Sequence, residues 1–336
     1  MRIGFEVYKN HFSNILYQKL YNIRMRKIKF LIFLIFTLCF LSFIFYFLFS
    51  KNPPISPLTP NQTPHPSTSL RASPALTLIA VGDIMLGRSV NAKMRSLNDF
   101  TYPFQKTADI LRSTDLTFGN LESPFWKDCP TTNTGMVFCA DPKAIQGLTF
   151  SGFDILSIAN NHILNYGSQG KQYTINLLQQ NGILSSAENN IAIKQYNNLT
   201  IGFLSFDLTK TRSNQQILDM VTRYTSQAGI LVISHHWGQE YEKIPQTWQT
   251  ELAHQIIDSG AKVIIGHHPH VTQPTEEYNN GLIFYSLGNF IFDQPWSEET
   301  KKGKIAKIVF EGKQIKSWQE IPIYIIDYSQ PKLINQ

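Results

Sequence analysis

Three histidines, His267, His268 and His270, fall within four positions of the stretch KVIIGHHPHVTQP (262–274), directly after an apolar β-branched run. Imidazole at that density, where a buried strand meets solvent, suits metal ligation and proton transfer. Of the nine histidines in the chain, six (His162, His235, His236 and these three) stand at or just past the ends of three apolar runs. Asp83 in AVGDIM and Glu122 in FGNLES close two more, and Asn160 and Asn161 precede His162 in SIANNHILNYG. Asp, Glu, Asn and His together match borderline first-row cations such as Zn²⁺, Mn²⁺ or Fe. No thiolate belongs to the set, which argues against a structural zinc site. Each piece alone has an ordinary reading. Gly-Asp and GNLE occur in loops and caps, NNH can be a capped turn with Asn in the left-handed region, and HHW can be a core histidine packed on Trp237. The metal reading rests on their joint position. The spacing of His268 and His270 puts two neighbouring ligands on one turn, one per metal, stiffened by Pro269.

Those side chains need a scaffold that brings strand ends together. Apolar, β-rich runs cover 76–82, 116–122, 154–160, 199–206, 229–236, 262–268 and 282–288. Helix-like stretches at 168–182 and 246–261 lie between them, each ending at a glycine stop. This alternation predicts an α/β domain with a largely buried sheet. In such sheets the C-terminal strand ends form the ligand crevice, so residues far apart in sequence converge there. The tail KIAKIVFEGKQIKSWQEIPIYI reads as a closing β-hairpin or edge pair.

The 336 residues allow one large domain or two small ones, without internal repeats. The net charge of +6 is uneven: residues 1–52 hold eight Lys/Arg and one acid, and the remainder holds 22 basic and 23 acidic residues. The body is near neutral, so the basic balance does not point to nucleic acid. It flanks FLIFLIFTLCFLSFIFYFLF (30–49), which has no charge and is long enough at roughly 30 Å to span a bilayer core. A cleaved signal peptide and a buried helix are the alternatives; the run is long for the former, without an A-x-A-like site, and lacks the polar stripe of the latter. Arg24, Arg26, Lys27 and Lys29 precede the span and orient the N-terminus to the cytoplasm. Met25 is an alternative start. Seven of the 17 prolines fall between Lys51 and Pro74, a stalk of extended chain. The expected organisation is a cytoplasmic basic segment (1–29), a transmembrane signal-anchor helix (30–49), a Pro/Ser/Thr-rich linker (50–74) and an extracytoplasmic domain (75–336). Outside the cytoplasm Cys129 and Cys139, which bracket PTTNTGMVF, form a disulfide or remain two free thiols.

The ordered motifs AVGDIMLGR, GNLESP, SIANNHILNYG, SHHWGQEY, GAKVIIGHHPHVTQP and FYSLGNFIFD, over about residues 76–295, resemble the CapA family of bacterial capsule-synthesis proteins. That family is linked to poly-γ-glutamate capsule production and is similar to calcineurin-like metallophosphoesterases. The resemblance implies a layered α/β/β/α sandwich and two divalent metal ions (Mn, Zn or Fe). It implies Asp83, Glu122, Asn161, His236, His268 and His270 as metal ligands, with Glu122 bridging, and His162 as the acid or transition-state contact. Asn120, Asn160, His235, His267 and Asn289 would support these ligands. Arg88 would contact a substrate phosphate or carboxylate, or else be a solvated surface arginine. Met85 stands where phosphoesterases carry a histidine, and Asn165 where the family often carries an acid. The implied activity is metal-dependent hydrolysis of a phosphoester or of a γ-glutamyl polymer. The other function class is a non-catalytic accessory that binds an anionic polymer beside a membrane synthase complex.

Overall fold

The computed structural model describes residues 75–210 and 213–334. The expected span at 30–49 and the segments around it lie outside the described residues, among which no helix is long and apolar enough to cross a membrane.

Two mixed sheets form the body. The first holds β1 (Ala75–Ile84), β2 (Leu116–Leu121), β3 (Ile155–Ser157), β4 (Leu184–Ser186), β11 (Asn289–Ile291), β12 (Lys302–Glu311), β13 (Gln314–Ile326) and β14 (Gln330–Leu333). Its order is β14-β13-β12-β1-β2-β3-β4, with β11 also pairing with β1. The second holds β5 (Ala192–Tyr196), β6 (Leu199–Asp207), β7 (Ile230–His236), β8 (Val263–His267), β9 (Thr275–Tyr278) and β10 (Gly281–Phe284), ordered β5-β6-β7-β8-β10-β9. The parallel strands β1–β2–β3–β4 run to one end of the first sheet, and β6–β7–β8–β10 occupy the middle of the second.

Side-chain alternation sorts these strands into layers. Leu76, Leu78 and Ala80 of β1 and Ile230 and Val232 of β7 share the core between the sheets. Ile79 and Val81 face the other way, onto α1 (Arg88–Leu97), α2 (Ala108–Arg112), α3 (Ile145–Phe150) and α4 (Gly167–Gln180). Leu231 and Ile233 face α5 (Asn214–Thr225) and α6 (Thr247–Asp258). Three apolar layers thus separate helices, sheet, sheet and helices. Buried on both faces, the central strands read as near-continuous apolar runs, which is why they are legible in the sequence.

The predicted helices at 168–182 and 246–261 are α4 and α6. Each gives way to a left-handed glycine two residues past its end, Gly182 (φ +76°) and Gly260 (φ +107°). The tail hairpin forms as β12–β13 near one end of the first sheet, β12 pairing antiparallel with β1 and β14 with the outer side of β13.

Two glycines let the chain close over the strand ends. A Cβ on Gly82 would stand 1.9 Å from the Gly288 carbonyl oxygen, and one on Gly266 would stand 1.9 Å from that of Tyr285. Through these approaches the segment after β10 crosses beside β1 and β8, with Asp83 N–H donating to Gly288 O at 3.0 Å. Gly266→Ala is therefore expected to destabilise the protein by about 3 kcal/mol, since backbone rather than a flexible side chain meets the new methyl. Urea denaturation measures it; a midpoint within error of wild type would disprove the close approach.

Candidate metal centre

The C-terminal ends of β1, β2, β7 and β8 meet at one point between the sheets. Asp83 lies in β1 and Glu122 follows β2; His236 and His267 are the last residues of β7 and β8. Asn160, Asn161 and His162 lie in the turn after β3, and His268 and His270 in the turn after β8. His268 (φ +94°) and His270 (φ +57°) both adopt the left-handed region on either side of Pro269. Such backbone costs of order 1–3 kcal/mol per residue and persists only where its surroundings enforce it.

Asp83 is fully buried and well connected. Its Oδ1 accepts from Asn120 Nδ2 at 2.9 Å and lies 3.1 Å from His267 Nδ1. Its Oδ2 accepts from the His268 backbone N–H at 3.1 Å and lies 3.3 Å from His270 Nδ1. Burial pushes its pKa up, but the hydrogen bonds and charges of His267 and His270 outweigh this and hold it well below the usual carboxylate range.

Glu122 is equally buried and has no hydrogen bond on either oxygen. Burial first, and then the charge of Asp83, push its pKa well above the ordinary value. Around its Oε1 stand three imidazole nitrogens: Nε2 of His270 at 3.7 Å, and Nε2 of His162 and of His236 at 3.9 Å each. These separations are too long for hydrogen bonds. For His236 and His270 they suit ligands of one cation, because two atoms each about 2.1 Å from an ion stand up to about 4.2 Å apart. A buried carboxylate without a partner is expensive unless a positive charge reaches it. The donor set therefore fits a cation. Asp83, Glu122 and His270 offer ligand atoms all within 4.8 Å of one another.

His236 ties the remaining residues together. Its Nε2 lies 3.0 Å from Asn161 Oδ1 and 3.1 Å from His268 Nδ1, and its Nδ1 lies 3.3 Å from Asn120 Nδ2. Burial and then the neighbouring His268 push its pKa well down; burial and then His270 take His268 down to about 4. Neutral imidazoles are the metal-binding form. Asn160 Nδ2 donates to Asn120 Oδ1 and to Leu121 O, while its Oδ1 accepts from the His162 N–H. Asn289 Oδ1 sits 3.0 Å from His270 Nδ1, so that proton is held and Nε2 faces Glu122.

His162 presents Nε2 to the same space, while Asn165 Oδ1 lies 3.0 Å from Nδ1. The Phe138 backbone N–H donates to that oxygen too, which identifies it as the amide oxygen and Nδ1 as the protonated nitrogen. Asn165 thus holds the imidazole by its edge, as an acid would, without adding charge. Burial lowers the His162 pKa, partly opposed by this hydrogen bond.

Two positions, His235 and Arg88, differ from the sequence reading, and Met85 takes a place that reading left open. His235 is turned away from the site: in a strand its neighbour His236 takes the inner face, and His235 packs between Phe206 and Trp237, its pKa driven down to about 3 by burial. Arg88 is no solvated surface residue: it is buried, paired with Asp293, and donates to Gly135 O at 3.1 Å. Met85 fills the helix-side core instead of the site.

Two acids at the site were not singled out in the sequence. Glu240 offers a ligand atom within 4.8 Å of those of His268 and His270. The strained turn of Gly238 (φ +85°) and Tyr241 (φ +67°), with Tyr241 N–H donating to Pro269 O at 2.8 Å, carries it there. Its signal was an acid three positions after the HHW motif. Asp293, at the end of FIFD, neutralises Arg88.

The model of the bacterial capsule synthesis protein PGA_cap matches residues 77–294. The chain belongs to this family. The PGA_cap stretch contains every residue of the centre described above. It is 33% identical over 256 residues to the PGA biosynthesis protein CapA of Bacillus subtilis, covering 69% of this chain and 67% of that protein. Against the capsule biosynthesis protein CapA of Bacillus anthracis it is 31% identical, covering 68% of this chain and 62%, less than two thirds, of that relative. Among solved structures, a phosphatase from Mycoplasma pneumoniae superposes with a TM-score of 0.54 over 75% of this chain and 94% of its own, at 11% identity. At that identity the likeness concerns the fold alone.

Proposed function

We propose that this PGA_cap protein is a membrane-anchored, extracytoplasmic hydrolase of capsule or poly-γ-glutamate synthesis or export, cleaving a phosphoester or a γ-glutamyl bond at a two-cation centre. The observation that carries the reading is Glu122: a fully buried carboxylate without a hydrogen bond, facing three imidazole nitrogens at 3.7–3.9 Å. Asp83, Glu122, Asn161, His236, His268 and His270 are the proposed ligands, with Glu240 beside His268 and His270. Two divalent cations held there, as Mn, Zn or Fe, would supply the Lewis acidity for hydrolysis at neutral pH. The protein's own part is positional. Asn120 orients Asp83 and Asn289 orients His270. His162 exchanges a proton at Nε2, and an anionic substrate arriving there favours the protonated ring that the leaving group needs, an oxygen for a phosphoester or a nitrogen for a γ-glutamyl amide.

Beside Asn160 and Asn161 opens a cavity of about 410 Å³. Lys171 and Lys210 on its wall have no carboxylate partner among the described residues, while Glu188 and Asp207 are engaged. This supports an extended anionic substrate whose next charged unit lies there. A larger groove of about 630 Å³, between the β9–β10 turn and β13, touches none of the site residues.

The test compares wild type, His268→Ala/His270→Ala and Lys171→Ala/Lys210→Ala, each loaded with Mn²⁺ or Zn²⁺, on phosphoesters and poly-γ-glutamate. The histidine variant is expected to lose bound metal and turnover. The lysine variant should keep kcat on a small ester and raise KM for the polymer roughly 10-fold, about 1.4 kcal/mol. A metal-loaded wild type that turns over none of these substrates yet binds the polymer would replace the hydrolase reading with that of a binding accessory to a membrane synthase.

A further inference from the structure

The loop between Cys129 and Cys139, which are joined by a disulfide, reaches the centre through one side chain. Every residue from Thr131 to Val137 is exposed, Met136 and Val137 by 61% and 62%. Phe138 then turns inward and is buried. Its ring lies flat on the His162 imidazole, centroids 3.9 Å apart and planes at 23°. Its backbone N–H donates at 2.6 Å to Asn165 Oδ1, the atom that holds His162 Nδ1. One residue therefore sets both the face and, through Asn165, the edge of the imidazole.

Several contacts seat Phe138. The Arg88 guanidinium covers its ring at 4.7 Å and donates to Gly135 O, while Asp293 fixes the guanidinium from behind. Phe292 packs edge-on at 5.9 Å, and it also meets His270 at 4.6 Å. At the loop base Ala140 pairs with Phe125, Ala140 N–H donating to Pro124 O at 2.8 Å. The disulfide closes the loop one residue from Phe138. A seven-residue exposed segment gains conformational freedom when such a closure is opened, and that freedom opposes seating its single buried anchor. A proton-transfer group, in turn, works only if its orientation is locked.

We propose that the disulfide-closed loop is a strap that positions His162, with Phe138 as the positioning residue and Cys129–Cys139 keeping it seated. The inference rests on the role of His162 given above. It makes full activity dependent on an oxidising compartment, where the bond persists.

The test uses the whole protein loaded with Zn²⁺ and carrying isotope-labelled histidine. Variants are Phe138→Leu, which keeps apolar bulk without a stacking ring, and Cys129→Ala/Cys139→Ala, each alone and with His162→Ala. The His162 ring resonances, identified by their loss in His162→Ala, are expected to lose the upfield displacement caused by the Phe138 ring in Phe138→Leu, and to lose part of it in the cysteine variant. Turnover should fall roughly 10- to 100-fold in kcat with KM and metal content kept. Neither change should add to the loss caused by His162→Ala. Unmoved His162 resonances in both variants, or a kcat loss additive with that of His162→Ala, would overturn the strap. If His162→Ala alone leaves kcat intact, the assignment of His162 fails instead, and the resonances still report whether Phe138 and the disulfide hold the ring.

Discussion

Glu122→Gln is expected to raise the melting temperature of the metal-stripped protein and to abolish the rise that added Mn²⁺ or Zn²⁺ produces in wild type. The two halves have one cause. Neither Glu122 oxygen has a hydrogen bond, and the imidazole nitrogens nearest to Oε1 stand at 3.7–3.9 Å. The His236 ring among them is kept neutral by burial, so it brings no compensating charge. Without a cation the side chain carries an uncompensated desolvation cost of about 1–3 kcal/mol. A neutral amide of the same shape relieves most of it, which for a domain of this size is about 2–4 °C per kcal/mol. With a cation the sign reverses. An ion at 1,000 times its dissociation constant stabilises wild type by about 4 kcal/mol, and the variant lacks the charge that draws the ion in. Differential scanning fluorimetry with and without chelator, beside elemental mass spectrometry, reads both halves. An equal metal-induced rise in the two proteins would remove Glu122 from the ligand set, and the proposed function would lose its main support.

His162→Ala should lower kcat by about 10²- to 10⁴-fold while bound metal stays at the wild-type level. His162 belongs to neither ligand cluster found among the described residues, Asp83–Glu122–His270 or Glu240–His268–His270, so its loss leaves those donors intact. It does stand at the right place for proton exchange: Nε2 faces Glu122 Oε1 at 3.9 Å, and Asn165 holds the proton on Nδ1. The alanine also leaves Phe138 without the ring it covers, a surface term of about 1 kcal/mol that thermal denaturation will register separately. Steady-state kinetics on whichever phosphoester or γ-glutamyl polymer the wild type cleaves, with metal content measured on the same samples, decides the matter. A variant with normal kcat would exclude His162 from proton transfer; one that also loses metal would make it a ligand.

Much of the architecture is legible without coordinates because the central strands are buried on both faces. Runs such as LTLIAVG and KVIIGHH have nowhere to go but the middle of a covered sheet, and their chemistry-bearing ends must then converge. The short strands β4, β5, β9, β11 and β14 and the helices α1, α2, α3 and α5 escaped that reading: three- to five-residue strands carry little periodicity of their own, α2 and α3 are only five and six residues long, and α1 and α5 are mostly polar in composition. Residue types and order at the strand ends were enough to place Asp83, Glu122, Asn160, Asn161, His162 and the paired histidines in one crevice; dividing them into ligands and supports came from the family resemblance, not from the pattern. They were also enough to pair Cys129 with Cys139 as an option, since the two are only ten residues apart.

Adjacent histidines are where the reading of residues stops. Alternation says that His235 and His236 point to opposite faces of β7, but which face holds the site depends on what packs there, and Phe206 and Trp237 claim His235. For His267 and His268 even alternation fails, because the chain leaves β8 into left-handed backbone and both residues still meet Asp83, one by its ring and one by its N–H. Glu240, Asp293 and Phe138 join the centre through contacts that local pattern does not encode: a turn bonded to Pro269, an ion pair spanning 205 residues, and a ring laid on His162 from a disulfide loop. Local chemistry and period specify which groups stand at strand ends. Facing, distance and the partner of a buried charge arise only when separate strands and loops are packed against each other.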